Sequence, residues 1–231
     1  MPSTTPRPVV LVSHGSGSSP LLFNGLTKRL ATEGYFVAAV EHPGNHRQDD
    51  RLAGTDGNLV ERPRHLRVAL DALAADPVVG PQLRAERVAV IGQSLGGYTA
   101  LAAAGGTPWS RQGTPLATTR EPRIAALVLL TPAVFWFVPN GSLSDVQVPI
   151  LVYVGEEDTL CPPWHGHLVH GYVPDRTKVT LRTIPGAGHL SLLDELPPGA
   201  PWRDPPGFDR PAVHARMQDE IVAFLGSAIG D

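Results

Sequence analysis

Cysteine is nearly missing from this chain. Cys161 is the one cysteine in 231 residues, so no disulfide can close within the chain and its cysteine use gives no argument for an oxidising compartment. No apolar run approaches the length of a membrane span, and Met1-Pro2-Ser3-Thr4-Thr5-Pro6-Arg7-Pro8 lacks the charged-then-apolar order of a secretory signal. A cytoplasmic location without membrane insertion is the expectation. An excess of one charge is also lacking: 19 basic residues stand against 22 acidic ones, a net of −3. That balance leaves no extended basic patch, so nucleic acid and anionic membrane surfaces are not expected partners. Internal repeats, low-complexity tracts and linkers are absent too. What remains is a chain long enough to bury roughly 70% of its unfolded surface. It is expected to form one α/β domain over residues 1–231, and it carries no signature of an oligomeric state.

What is present alternates in a regular way. Short β-rich apolar runs and helical patterns succeed one another, the signature of stacked βαβ units around a mainly parallel sheet of about six strands with helices on both faces. Strands are expected at Val9–Val12, Tyr35–Val40, Val88–Ile91, Ile124–Leu130, Ile150–Val154 and Lys178–Ile184. Helices are expected over Leu21–Glu33, closed by Gly34, through Leu66, Leu70 and Leu73 up to Asp76-Pro77, from Gly97 to Ala104, and over about Pro211–Leu225. A polar loop fills Glu41 to about Leu59. Two stretches interrupt the pattern after strand ends: residues 131–148, with Phe135-Trp136-Phe137, and the proline-rich 196–211. Ligands of open α/β sheets bind outside the carboxyl ends of the strands, so both are expected to wall or cover a site.

Gly92-Gln93-Ser94-Leu95-Gly96 falls where the third strand gives way to an alanine-rich helix. A strained strand-to-helix turn exposes a serine oxygen, and glycines on either side let strand and helix approach closely. Ser94 is therefore a candidate nucleophile. Such a serine needs a general base, and the base needs a carboxylate that fixes its tautomer and stabilises its charged form. The fifth strand runs into Gly155-Glu156-Glu157-Asp158 and the sixth into Gly186-Ala187-Gly188-His189. The order Ser94, Asp158, His189 is that of side chains converging at one edge of a doubly wound sheet. Glu156 and Glu157 are alternatives to Asp158, but a residue slightly beyond the strand end turns over the site more readily. Of nine histidines, His189 alone follows the last strand on a glycine-freed loop. The oxyanion of an attacked carbonyl needs preset N–H donors; Leu95, after the nucleophile, and Ser16, in the loop after the first strand, are the candidates. His165, His167 and His170 are close enough together to suggest a metal, but no cysteine or carboxylate pattern joins them, so they are read as solvated helix or loop residues. No metal or organic cofactor is expected, and Cys161 is read as packing.

With these motifs the chain resembles the α/β-hydrolases, and more closely the dienelactone hydrolase-like group that includes platelet-activating-factor acetylhydrolases and cutinase-like serine hydrolases. The resemblance also rests on Ser13-His14-Gly15, on Val37-Ala38-Ala39-Val40-Glu41-His42-Pro43-Gly44, on Arg62-Pro63-Arg64 ahead of the helix through Leu66, and on Gly97-Tyr98-Thr99-Ala100-Leu101 after the elbow. It implies Ser94 as nucleophile, His189 as base, Asp158 as its orienter and Leu95 and Ser16 as oxyanion donors. It departs in three places: the N-terminal antiparallel hairpin of many relatives is expected to be missing, Gln93 stands where relatives often carry histidine, and Ser94 stands where dienelactone hydrolases proper carry a cysteine nucleophile. The expected activity is that of a carboxylic ester hydrolase working through an acyl-enzyme on a small or medium ester. An acyltransferase, thioesterase or cyclase acting on a biosynthetic or carrier-bound acyl group would use the same triad, and a non-catalytic ligand-binding protein would reuse the fold. Tyr35, Glu41, His42, Asn45, Trp136, Phe137 and Leu190 are expected pocket residues because their loops follow strand ends.

Overall fold

The computed structural model describes residues 6–196, 199–200 and 203–230. Met1 to Thr5, part of the N-terminal signal reading, and Pro197, Pro198, Pro201 and Trp202, part of the expected 196–211 cover, lie outside the described residues. Six strands, β1 (Arg7–Ser13), β2 (Phe36–Val40), β3 (Leu83–Gln93), β4 (Ile124–Leu130), β5 (Ile150–Gly155) and β6 (Val179–Ile184), form one sheet in the order β2-β1-β3-β4-β5-β6. Every pairing is parallel. Five helices connect or flank them: α1 (Asn24–Thr32), α2 (Asp56–Ala75), α3 (Leu95–Ala103), α4 (Trp164–Tyr172) and α5 (Arg210–Ile229).

The near-continuous apolar strands are explained by what covers them. Successive side chains point to opposite faces of a strand, and both faces of this sheet are packed. Val9 and Leu11 of β1, Val88 and Val90 of β3, and Ile150, Val152 and Val154 of β5 meet Leu66 and Leu70 of α2, Leu101 of α3 and Val169 of α4. Val10 and Val12, Ala89 and Ile91, and Leu151 and Tyr153 meet Leu26 and Leu30 of α1 and Met217, Ile221 and Leu225 of α5. Among the described residues no helix is long and apolar enough to cross a membrane.

The strand order reverses direction between β1 and β3, which places the loops after these two strands side by side. Such a switch point opens a crevice at the carboxyl edge of the sheet. Ser16 and Ser94 both sit there.

Two elements differ from the sequence pattern. Helix α2 begins ten residues before Leu66, capped by Thr55, whose hydroxyl accepts the Asn58 N–H at 3.1 Å. Arg62-Pro63-Arg64 therefore lies inside this helix and not ahead of it. Pro63 has no N–H to give to the carbonyl four residues back, at Leu59. The Tyr98 hydroxyl of α3 donates to that carbonyl at 3.1 Å and satisfies it from outside. Helix α4, short and rich in histidine, occupies a stretch without a clear apolar period. His165 is not solvated there: it is buried, and its Nδ1 accepts the Val134 N–H at 3.0 Å. His167 is exposed on the other side of the helix, so the three histidines share no face.

Candidate active site

Ser94 has φ 53° and ψ −118°, in the left-handed half of backbone space that side chains with a Cβ rarely occupy. The turn is held from both sides: the Ser94 N–H donates to the Leu130 carbonyl at 3.0 Å, and the Ala133 N–H donates to the Ser94 carbonyl at 2.9 Å. The flanking glycines have a steric cause. A Cβ on Gly92 would run into the Gly96 carbonyl and stand 2.7 Å from the Gly97 nitrogen; one on Gly96 would run into the Ser13 carbonyl oxygen and stand 2.7 Å from its carbon. All of these are backbone atoms that no rotamer change can move.

The three side chains singled out by chain order meet above this turn. Ser94 Oγ lies 2.9 Å from His189 Nε2, and His189 Nδ1 lies 2.8 Å from Asp158 Oδ2. An ionised carboxylate only accepts, so Nδ1 carries the proton and Nε2 is free to accept from the serine hydroxyl. The second carboxylate oxygen of Asp158 accepts the N–H groups of Leu160 at 2.9 Å and Cys161 at 2.8 Å, which fixes its orientation. Glu157 and Glu156 are placed elsewhere; Glu156 Oε2 accepts the Gly186 N–H at 3.0 Å on the loop leading to His189. That loop packs tightly on the end of β5, where a Cβ at Gly155 would lie 2.9 Å from Ala187 C and 3.1 Å from Gly188 O. Thr131, also at positive φ (41°), donates to the His189 carbonyl at 3.2 Å and anchors the loop from the β4 side. Gln93 fills the floor: its Nε2 is 3.4 Å from Thr131 Oγ1 and 3.5 Å from His189 Nε2.

Leu95 is the first residue of α3, so its N–H is one of the amides a helix cannot satisfy internally. The Ser16 N–H donates to no protein acceptor among the described residues. His14 sets the peptide that carries it. The His14 Nδ1–H donates to the Gly15 carbonyl at 2.7 Å, while its Nε2 accepts the His42 N–H at 3.3 Å. Burial and the nearby Arg62 charge lower the His14 pKa to about 4, which keeps it in this neutral tautomer.

Cys161 also borders the site. Burial and the Asp158 charge push its pKa up to about 12, so it is a neutral thiol at neutral pH.

Two hollows flank Ser94 and share Ser16, Leu160 and His189. One, of about 500 Å³, is walled by Ser18, Ser19, Leu22, Arg47, Leu190 and Ala200. The other, of about 340 Å³, is walled by Leu59, Leu95, Arg111, Phe135, Trp136 and Cys161. A larger hollow of about 930 Å³ lies on the outer side of the His189 loop against α5 and does not reach Ser94.

Of the expected pocket residues, Trp136 and Leu190 line these hollows, and five do not. Tyr35 precedes β2, so it sits at the opposite edge of the sheet, buried among the α1 and α5 side chains. Glu41 points outward and pairs with His46 at 2.9 Å. His42 is buried beneath the site, with Nε2 2.8 Å from Ser13 Oγ and Nδ1 3.2 Å from His65 Nδ1. Asn45 is buried behind Ser16 and donates to its hydroxyl at 3.0 Å. Phe137 is a core residue, stacked on Tyr98 with ring centroids 5.4 Å apart. Residues that sequence reasoning missed include Thr131 and Arg62, which act through side-chain contacts between distant segments that no local pattern announces, and Leu160, which lines both hollows.

A glycine-locked serine turn at the switch point of a parallel sheet, with a histidine and a carboxylate in hydrogen-bonded line behind it, defines the serine hydrolases of the α/β-hydrolase fold. The chain belongs to the serine aminopeptidase S33 family, whose model matches residues 4–143. That match takes in Ser94 and stops before Asp158 and His189. Among curated proteins the chain is similar to cutinase est2 of Thermobifida alba, 29% identical over 185 residues that make up 79% of this chain and 52% of that protein. It is 28% identical over the same length to cutinase 2 of Thermobifida cellulosilytica and to cutinase cut1 of Thermobifida fusca, covering 60% and 49% of those proteins. The chain thus spans about half the length of most of the curated relatives it matches.

Proposed function

We propose that this protein is a serine hydrolase that cleaves a small or medium carboxylic ester through an acyl-enzyme on Ser94. The observation that carries the reading is the unbroken line from Ser94 Oγ through His189 to Asp158, with links of 2.9 and 2.8 Å. In the first step Ser94 Oγ bonds to the carbonyl carbon as its proton passes to His189 Nε2. The carbonyl oxygen takes the negative charge and is met by the N–H groups of Leu95 and Ser16. Collapse breaks the bond to the alcohol oxygen, which leaves with the proton from His189. In the second step His189 takes a proton from water, whose oxygen attacks the acyl carbon, and Ser94 leaves with that proton restored.

The cutinase relatives favour an ester over an amide or a thioester as substrate. Hollows of about 500 and 340 Å³ on either side of Ser94 support a reading with one modest group on each side of the scissile bond. Ser94→Ala is expected to abolish turnover of short p-nitrophenyl esters, by about 10³-fold or more, with an unchanged circular dichroism spectrum. Turnover retained within a few-fold of the parent would refute the assignment.

A further inference from the structure

Arg62 of helix α2 is the largest fully buried side chain among the described residues. It is an unusual occupant of that position. Moving a guanidinium out of water costs several kcal/mol unless a partner offsets it, yet among the described residues no carboxylate hydrogen-bonds to it, and the Asp50 charge acts on it from beyond Asn45. Burial lowers its pKa to about 9, so it remains a cation at neutral pH. Its contacts are all neutral acceptors. Nε donates to Thr99 Oγ1 at 2.9 Å, Nη1 to Asn45 Oδ1 at 2.6 Å, and Nη2 to the His14 carbonyl and, at 3.5 Å, to Ser13 Oγ.

Each contact leads one step further to the same place. Thr99 Oγ1 in turn donates to the Leu95 carbonyl at 2.8 Å. Asn45 Nδ2 donates to Ser16 Oγ at 3.0 Å and to Asp50 at 2.5 Å. The His14 carbonyl belongs to the loop between β1 and Ser16. One planar side chain therefore reaches both residues read as oxyanion donors, through Thr99 to the Leu95 carbonyl on one side and through Asn45 to the Ser16 hydroxyl on the other. Ser16 and Leu95 lie on segments some eighty residues apart, and no direct hydrogen bond between them is needed if a rigid fork spans both.

Resting on the reading of Ser16 and Leu95 as oxyanion donors, we infer that Arg62 is a positioning residue that sets the spacing of the two N–H groups and directs a buried positive charge towards the oxyanion from behind them. A fork of fixed geometry suits this, because a guanidinium holds several acceptors in one plane where an ammonium holds a point. The donors matter in the transition state and little in the ground state, so the role predicts a loss confined to kcat.

The test is Arg62→Met, which keeps an unbranched apolar stem and removes the charged fork. With short p-nitrophenyl esters kcat is expected to fall about 10- to 100-fold, somewhat less than the loss of a donor outright, with KM within about threefold. Affinity for an alkyl boronic acid, whose tetrahedral adduct on Ser94 presents an oxygen to the same donors, is expected to fall by a similar factor. Arg62→Lys should recover part of both. A folded Arg62→Met with kcat within threefold of the parent, or one whose boronate affinity is unchanged while kcat falls, overturns the inference. If Arg62→Met does not fold, Thr99→Val and Asn45→Ala cut the two arms separately, and each must lower kcat and boronate affinity together or the inference fails. Ser94→Ala separates the levels: if it stays active the reading of the whole site is wrong, whereas an inactive Ser94→Ala beside a normal Arg62→Met removes only the role of Arg62.

Discussion

Gly96→Ala places one methyl group at the most crowded point of the serine turn. The added carbon would run into the Ser13 carbonyl oxygen, 2.7 Å from Ser13 C and 3.0 Å from the His14 oxygen, where ordinary contact begins at 3.4 Å. Both neighbours are backbone, one ending β1 and the other opening the Ser16 loop, so relief requires the start of α3 to back away from β1 by several tenths of an ångström or more. Overpacking of this kind costs about 1–3 kcal/mol, and the upper end is expected where only backbone can yield. The same displacement carries the Leu95 N–H and Ser94 Oγ with it. A misplacement near 1 Å at reacting groups costs about 100-fold in rate, so kcat is expected to drop 10- to 100-fold. Urea unfolding followed by circular dichroism measures the first effect and p-nitrophenyl ester turnover the second. Gly57→Ala is the control: it lies in the first turn of α2 with its nearest neighbour 3.8 Å from the added carbon, and it should leave activity unchanged. A Gly96→Ala protein within about 0.5 kcal/mol of the parent, less than ordinary scatter among surface substitutions, and with unaltered kcat would show that close strand-to-helix packing does not hold the turn.

Three other outcomes follow from the geometry. Asp158→Asn keeps an acceptor for the Leu160 and Cys161 amides but removes the charge beside His189 and lets the imidazole take the wrong tautomer; kcat should fall about 10³- to 10⁴-fold with little change in the unfolding midpoint. Acid should destabilise the fold before it reaches the carboxylates. The His14 pKa is about 4 folded against 6.5 unfolded, so its contribution is complete above pH 6.5 and is lost as pH falls towards 4, about 2 kcal/mol by pH 5. His42 and His165, lowered mainly by burial, add in the same direction; a urea midpoint that stays flat between pH 7 and 5 would contradict this. The aromatic triplet should divide: Phe137→Ala, emptying a core position against Tyr98, should cost about 3–5 kcal/mol of stability, whereas Trp136→Ala should change KM for bulky esters more than for acetate esters.

The parts of this fold that could be read from the sequence are those set by short-range patterning. A strand buried on both faces must be apolar, so the central strands appeared as apolar runs, the half-exposed edge strands β2 and β6 showed shorter or mixed ones, and the order Ser94, Asp158, His189 placed three side chains at one sheet edge. The start of α2 was hidden because Gly57 and Pro63 act locally as breakers, and the compensation comes from Tyr98, thirty-five residues after Pro63. Proximity to a strand was a poor guide to the pocket. It could not separate Tyr35, at the amino end of β2, from residues at the carboxyl ends, nor Asn45 and His42, which support the site from beneath, from Trp136 and Leu190, which face it.

The same distinction explains how the polar interior is arranged. Ser13, His14, His42, Asn45, Arg62 and Thr99 are all buried, and each is joined to another by a hydrogen bond. A polar cluster of this kind costs desolvation that apolar packing would avoid, and it holds a unique geometry only while every member is satisfied. In this chain it lies between the two loops whose spacing an oxyanion would sense, on the side of the serine turn facing away from His189. The His189 side of Ser94 is framed largely by backbone, the strand ends, the Gly155 contact and the amides around Asp158, with Thr131 and Glu156 tying down the His189 loop. The opposite side has no strand pairing available after β1 and β2 end, so side chains must do what hydrogen-bonded ladders do elsewhere. That division predicts a serine turn more tolerant of changes in the outer loops than of changes in these interior polar residues, which the activities of Asn45→Ala and Thr99→Val would check.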